Sequence, residues 1–346
     1  METSKTNDGN QTVLVTGASG FIAQHCIIEL LKRGFTVRGS LRNLSKAATI
    51  SQNIGKHVEG NVTFIEAELQ DAESWIPAVR DCDYVLHVAS PFPLTQPKNP
   101  EELTRPAVNG TLNVVKACAA EGIKRVVVTS SIASIMAGYK ESDRPAVWDE
   151  NYWSNLDNAM SPYERSKTMA EKALWDFMEN NTSDLEAVTV CPGAVIGPVM
   201  DENISTSIQI IKKLLSGEAP ACPKVGWPFV DVRDVAWMHV EAMLQADAVG
   251  KRFCAVDESI WLSDIAKILH PRYKPQGYKV PTIELPNWLV KIAANVMPDL
   301  KAVKSSLGIL GTVSSERAKQ ELRWSPINSE QSIVDTAESL IALRIV

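Results

Sequence analysis

The sequence predicts an α/β protein: a doubly wound parallel sheet with a smaller C-terminal lobe. Three observations predict it. Short β-branched runs alternate with longer helical patterns through the first half, as a series of strand–helix–strand units requires. Those runs are short and mostly apolar on both faces, which suits parallel strands covered by helices on either side. The 346 residues, 45% hydrophobic and 22% charged, exceed what one ordinary domain needs.

Strands are expected at Thr12 to Val15, Phe35 to Arg38, Val62 to Ile65, Tyr84 to Val88, Arg125 to Thr129 and Ala187 to Cys191. Helical patterns fill the gaps at Gly20 to Arg33, Glu101 to Glu121 and Ser161 to Glu179. Right-handed crossovers wind these helices over both faces of the sheet. After Pro192, Pro and Gly punctuate shorter elements, from Gly197-Pro198 to Pro298. Residues 1–192 are therefore assigned to the sheet domain, with part of the later chain returning to it, and 193–346 mainly to the smaller lobe.

Composition excludes several classes. Thirty-five Lys and Arg against 41 Asp and Glu leave a net charge of −6, the wrong sign for binding nucleic acid. Uncharged runs such as Tyr84 to Pro97, Val126 to Tyr139 and Ala187 to Met200 are about 14 residues each, too short to span a bilayer, and the start METSKTNDGNQ lacks a signal-type apolar stretch. A cytoplasmic protein with neither membrane nor nucleic-acid partner is expected. The six cysteines form no C-x-x-C pair, which suggests buried free thiols. His239-Val-Glu-Ala-Met243 lacks a second histidine, so no metal is expected. Asp231 and Asp234 there read as caps for a helix from Arg233 to Leu244.

The first chemical motif is Thr12-Val-Leu-Val-Thr-Gly17-Ala-Ser19-Gly20-Phe21-Ile22-Ala23, a strand, a glycine turn and a helix in immediate succession. Gly17 can make the tight turn, and Gly20 lets backbone approach a pyrophosphate on the helix N-terminus, where N–H groups and the dipole favour an anion. This is the phosphate turn of a Rossmann-type dinucleotide domain. Which dinucleotide depends on the residues after the second strand, where an acidic group suits NAD and cations suit a 2′-phosphate. Between Glu29 and Glu59 there is no carboxylate, while Lys32, Arg33, Arg38, Arg42, Lys46 and Lys56 are all cationic. NADP(H) is therefore the expected cofactor, with Arg42 first on the phosphate and Lys46 and Arg38 behind it.

The second motif is Ser161-Pro162-Tyr163-Glu164-Arg165-Ser166-Lys167, a helix start with N-cap, Pro and capping box. Tyr163 and Lys167 are four apart and share one face. A cation beside the hydroxyl favours the phenolate, and lowering the phenol by about 3 pH units takes roughly 4 kcal/mol. A phenol so tuned is a general acid for a developing alkoxide. The fifth strand ends in Thr129-Ser130-Ser131 at the carboxyl edge of the sheet, where a hydroxyl can donate to a substrate carbonyl. Ser131 is preferred on pattern and Ser130 kept as the alternative.

Together the glycine turn, strand-end serine and Tyr-x-x-x-Lys resemble the extended short-chain dehydrogenase/reductase family, in the branch of dihydroflavonol reductases, cinnamoyl-CoA reductases and microbial aldehyde and ketone reductases. Val85-Leu-His-Val-Ala-Ser-Pro91, Cys191-Pro-Gly-Ala-Val-Ile-Gly-Pro198 and Phe229-Val-Asp-Val-Arg-Asp-Val235 extend the likeness over nearly the whole chain. The resemblance implies Ser131, Tyr163 and Lys167 as the catalytic set, with Lys167 also on the nicotinamide ribose. It implies that Gly17, Ser19, Gly20, Phe21 and Ile22 bind the cofactor and that Arg42 with Lys46 grips the 2′-phosphate. Ala89 and Ser90 would line the cofactor, Glu68 and Leu69 the adenine, and Pro192 and Val195 the nicotinamide. Met136 stands where dihydroflavonol reductases carry an asparagine, and a thioether cannot supply that residue's directional hydrogen bonds.

The expected reaction is NADPH-dependent reduction of an apolar or aromatic aldehyde or ketone, with Tyr163 as proton donor. Phe92, Met136, Tyr139, Met160, Met200, Trp227 and Phe229 are the candidate contacts to this small-molecule substrate. A sugar-nucleotide epimerase or hydroxysteroid dehydrogenase on the same scaffold is the alternative enzyme, and an NADP-sensing binding protein the alternative without turnover. Oligomeric state is left open.

Overall fold

The computed structural model describes residues 11–91, 97, 99–294 and 306–346. The sheet domain runs β1 (Thr12–Val15), α1 (Phe21–Lys32), β2 (Thr36–Leu41), α2 (Ala47–Gly55), β3 (Val62–Glu66), α3 (Trp75–Val79), β4 (Tyr84–His87), α4 (Glu101–Ala120), β5 (Arg125–Thr129), α5 (Ala133–Met136), α6 (Pro162–Asn180) and β6 (Glu186–Pro192). Then follow β7 (Ala194–Ile196), α7 (Thr206–Ser216), β8 (Cys222–Pro223), β9 (Gly226–Asp231), α8 (Val232–Leu244), β10 (Arg252–Ala255), β11 (Glu258–Trp261), α9 (Leu262–Tyr273), β12 (Glu284–Leu285) and α10 (Asn287–Ala293). A last long helix covers Ser329–Ala342.

Seven parallel strands form the main sheet in the order β3-β2-β1-β4-β5-β6-β10. The period of two in β1 explains its two layers. Val13 and Val15 enter the core shared with α1 and α8, while Leu14 enters the opposite core with Val114, Cys118 and Leu174 from α4 and α6. Each of these fully buried side chains contributes about 1.5–3 kcal/mol relative to exposure. Arg125 ties the sheet to α8 by donating to the Ala242, Met243 and Gln245 carbonyls at that helix's C-terminus.

The sixth expected strand is not the last, because β10 returns to pair with β6 beyond it. The chain leaves the sheet at Pro192 and enters the lobe through Gly193, where a Cβ would collide with the Pro228 carbonyl oxygen. The lobe has its own core, built on the small sheet β11-β9-β7 with α7, α9 and the last helix. Asp231 caps α8 by accepting from Arg233 N at 2.8 Å, whereas Asp234 accepts from Ile327 N and so fastens the segment leading into the last helix. All six cysteines are free and buried. Among the described residues no helix is long and apolar enough to cross a membrane.

Candidate active site

β1 and β4 are neighbours at the switch point of the strand order, so their carboxyl ends open the crevice in which such sheets bind ligands. Gly17 sits there at φ +66°, and a Cβ on it would lie 3.0 Å from that of Ala89. Thr16 ties this turn to the end of β4. Its Oγ1 accepts from the Val88 and Ala89 N–H groups, each at 3.0 Å, and donates to His87 Nδ1 at 2.9 Å. That nitrogen must be unprotonated, and burial does push the His87 imidazole down to about 3. Ser19, Phe21 and Ile22 are half-buried along the turn, and α1 begins on Gly20 with no side-chain cap and no acidic residue in its first turn. A pyrophosphate fits this N-terminus.

Arg42 follows directly on β2, and Lys46 closes a single helical turn opened by Asn43. Both are exposed, and neither side chain has a polar partner among the described residues. Free cations with no carboxylate between residues 29 and 59 fit a 2′-phosphate. Arg38 is a correction: it donates to the Ala78 and Arg80 carbonyls at 3.0 and 2.6 Å and is engaged in holding the end of α3. Glu68 and Leu69 follow β3, and their carbonyls accept from Trp75 Nε1 and Asn113 Nδ2. Ser90 is half-buried just past β4. Pro192 ends β6, and Val195 lies in β7 with 8% of its surface exposed.

The capping box of α6 is complete: Ser161 Oγ accepts from Glu164 N, and Glu164 Oε2 accepts from Ser161 N. It sets Tyr163 and Lys167 at the first turns of the helix. Ser131 lies two residues past β5, accepts from Ala133 N at 3.1 Å, and is hydrogen-bonded to the Tyr163 phenol. Ser130 is turned away, donating to Glu171 Oε2 at 2.5 Å. Lys167 is buried, and its Nζ donates to the Thr129 carbonyl at 3.3 Å. The electrostatics differ from the sequence expectation. Burial raises the Tyr163 phenol above its ordinary value of 10, with the Ser131 hydrogen bond pulling the other way. Lys167 is pushed down to about 8 by burial, against the opposing pull of Glu171. Spacing revealed the cation but could not reveal depth, and desolvation is the leading cause in both groups.

The apolar candidates separate into groups. The Met136 methyl occupies the space beside Gly311, and the Met160 methyl lies 3.0 Å from where a Cβ on Gly138 would stand. Tyr139 packs edge-on against Trp148 at 4.8 Å and donates its hydroxyl to the Trp153 carbonyl at 2.6 Å. Trp227 is half-buried on the lobe, and Met200 is 8% exposed in the main core. Phe229 is a second correction: it is fully buried in the lobe core and presents no surface to a substrate. Phe92 lies outside the described residues.

Four buried polar residues have no site role on sequence grounds. His87 and Glu171 flank Lys167, Arg252 pairs with Glu171 at 2.8 Å, and His239 Nε2 accepts from the Thr129 hydroxyl at 2.7 Å. Glu171 could have been noticed, since it continues the four-residue spacing of Tyr163 and Lys167. Arg252 carries no local signal, because its partner is 81 residues away in sequence.

Fold and site define a dinucleotide-binding α/β protein with a serine, tyrosine and lysine gathered at the carboxyl edge of its sheet. The chain belongs to the NAD dependent epimerase/dehydratase family, whose model matches residues 13–254. It lies in the extended short-chain dehydrogenase/reductase branch that includes cinnamoyl-CoA and dihydroflavonol reductases. It is 35% identical to cinnamoyl-CoA reductase 2 of Medicago truncatula over 345 residues, covering 98% of this chain and 94% of that one. It is 34% identical to dihydroflavonol 4-reductase of Arabidopsis thaliana over 282 residues, 79% of this chain and 72% of that one. Among solved structures, yeast methylglyoxal/isovaleraldehyde reductase complexed with NADPH superposes with a TM-score of 0.80 at 28% identity, over 96% of this chain and 99% of that one.

Proposed function

We propose that this oxidoreductase is an NADPH-dependent reductase that takes an apolar or aromatic aldehyde or ketone to its alcohol. One observation carries the reading: the Tyr163–Ser131 hydrogen bond, with Lys167 one helical turn away, at the sheet edge that also carries the Gly17 turn. The exposed Arg42 and Lys46 support NADP(H) as cofactor, as does the yeast relative solved with NADPH. The residues Gly17 to Ile22 hold its pyrophosphate, Arg42 and Lys46 its 2′-phosphate, and Lys167 its nicotinamide ribose. Glu68 and Leu69 border the adenine, Ala89 and Ser90 line the crevice, and Pro192 and Val195 stand by the nicotinamide.

Bound NADPH supplies the hydride. Ser131 and Tyr163 hold the carbonyl oxygen, and Tyr163 gives that oxygen its proton as negative charge develops. The phenol, raised by burial, is fully protonated at neutral pH and so loaded for donation. Lys167 places a positive charge on the same helix face, which favours the phenolate left behind. Met136, Tyr139, Met160 and Trp227 are the apolar contacts proposed for the substrate, and Met136 brings no directional hydrogen bond of the kind a polyhydroxylated flavonoid needs. The substrate is thus a small carbonyl compound, with no part for nucleic acid or membrane.

Purified protein assayed with methylglyoxal, cinnamaldehyde, a dihydroflavonol and cinnamoyl-CoA, each against NADPH and NADH, tests the reading. Faster turnover with NADPH, and of the aldehydes over the dihydroflavonol, is expected. Equal use of NADH, or no turnover of any carbonyl, would overturn it.

A further inference from the structure

Glu171 stands one turn beyond Lys167 and two beyond Tyr163, so the three share a face of α6. Its carboxylate is buried and fully engaged. Oε2 accepts from the Ser130 and Ser134 hydroxyls, each at 2.5 Å, and Oε1 from Thr189 Oγ1 at 2.8 Å. Arg252 grips both oxygens, Nε on Oε1 at 2.8 Å and Nη2 on Oε2 at 3.1 Å. The guanidinium is itself fixed, stacked 3.7 Å over the Trp153 ring and donating to the Glu150 and Tyr152 carbonyls. A buried ion pair contributes little net stability compared with apolar residues of the same volume. Its placement is the informative feature: Ser130 and Ser134 flank Ser131, and the Ser134 N–H donates to the Ser131 carbonyl at 2.9 Å.

We propose that Glu171, held by Arg252, is a positioning residue for carbonyl reduction, locking the Ser131 loop to the helix that carries Tyr163 and Lys167. The inference rests on the catalytic reading of those three residues. Glu171 also gives Lys167 a nearby negative charge, which opposes the loss of the ammonium proton. Other groups facing Lys167 do not supply that charge: burial keeps the Cys191 thiol on β6 protonated and the His87 imidazole on β4 neutral. Arg252 stands beyond the carboxylate and holds it ionised.

The test compares Glu171→Gln with Ser130→Ala/Ser134→Ala in the full chain, using NADPH and the carbonyl of the panel above that is reduced fastest. Glu171→Gln should lower kcat about tenfold or more with both KM values little changed. It should also move the alkaline limb of the kcat profile about one pH unit lower, since the ammonium has lost its counter-charge. The serine pair should lower kcat and leave that limb in place. A folded Glu171→Gln enzyme with unchanged kcat and limb overturns the proposal. If that variant does not fold, unchanged kcat in the serine pair overturns it instead. Tyr163→Phe and Lys167→Met run alongside: should they stay active the catalytic reading itself falls, and should they alone lose activity only the positioning role falls.

Discussion

Ser130 gives its hydroxyl to the Glu171 carboxylate at 2.5 Å, which leaves Ser131 as the serine that meets Tyr163. The two neighbours therefore differ in their partners although their side chains are the same. Ser131→Ala should lower kcat by about 10²–10³, the effect of deleting a donor aimed at a developing oxyanion, with little change in affinity for NADPH. Ser130→Ala, which loosens the loop only, should cost less than about tenfold. Steady-state kinetics of both variants decide the matter, and equal losses would return the assignment to an open choice.

The pH dependence should belong to the lysine. Tyr163 is held above 10 by burial and stays protonated through neutrality, whereas Lys167 titrates at about 8. As pH rises through that value the ammonium charge is lost, so kcat should fall on an alkaline limb near 8. Tyr163→Phe should lower kcat by about 10²–10⁴. Rates measured from about pH 6 to 10 check both statements; a limb at 10 or above would identify the phenol as the titrating group.

Cofactor choice should rest on Arg42. Its guanidinium is exposed and free of partners among the described residues, so replacing it disturbs nothing else. A lost charge-assisted hydrogen bond is worth about 1.5–3 kcal/mol, so Arg42→Ala should raise the KM for NADPH about 10- to 100-fold and leave that for NADH nearly unchanged. Arg38→Ala should instead lower stability, because its donors satisfy the Ala78 and Arg80 carbonyls. Thermal melts alongside the kinetics separate the two arginines.

Six strands of the sheet are legible because short β-branched runs alternate with helical patterns, those of β1, β4, β5 and β6 being buried on both faces, and Tyr163 with Lys167 because four-residue spacing is a local property. β10 was not, since it is four residues long and starts with a charged one, Arg252, which enters the sheet only because Glu171 neutralises it. Phe229 was misplaced for a related reason. An aromatic residue beside Trp227 looks the same in sequence whether it lines a pocket or fills a core, and only the packing of β9 between β7 and β11 decides. The sign of the Tyr163 shift failed likewise, because desolvation depends on the whole fold.

Acid should unfold this protein early. Three histidines are buried and neutral, with burial pushing His25 and His239 down to about 4 and His87 to about 3. In the unfolded chain each titrates near 6.5. Below that pH the unfolded state binds up to three protons that the folded state refuses, and stability falls by at most about 4 kcal/mol per pH unit. Asp234 works in the opposite direction. Burial raises it to about 6, so between that value and its ordinary 3.8 the folded state holds a proton the unfolded state releases. This restores about 1.4 kcal/mol per unit. Glu150 and Glu258, also raised by burial, act the same way, while Glu171, held down by Arg252, adds to the loss, so the histidines set the slope just below pH 6.5. The urea midpoint should therefore be flat near neutrality and drop steeply from pH 6.5 toward 4. His239→Gln, whose amide oxygen can still accept from Thr129, removes one of the three sites and should make that slope shallower. An unchanged slope in this variant would show that His239 is not among the groups driving acid unfolding.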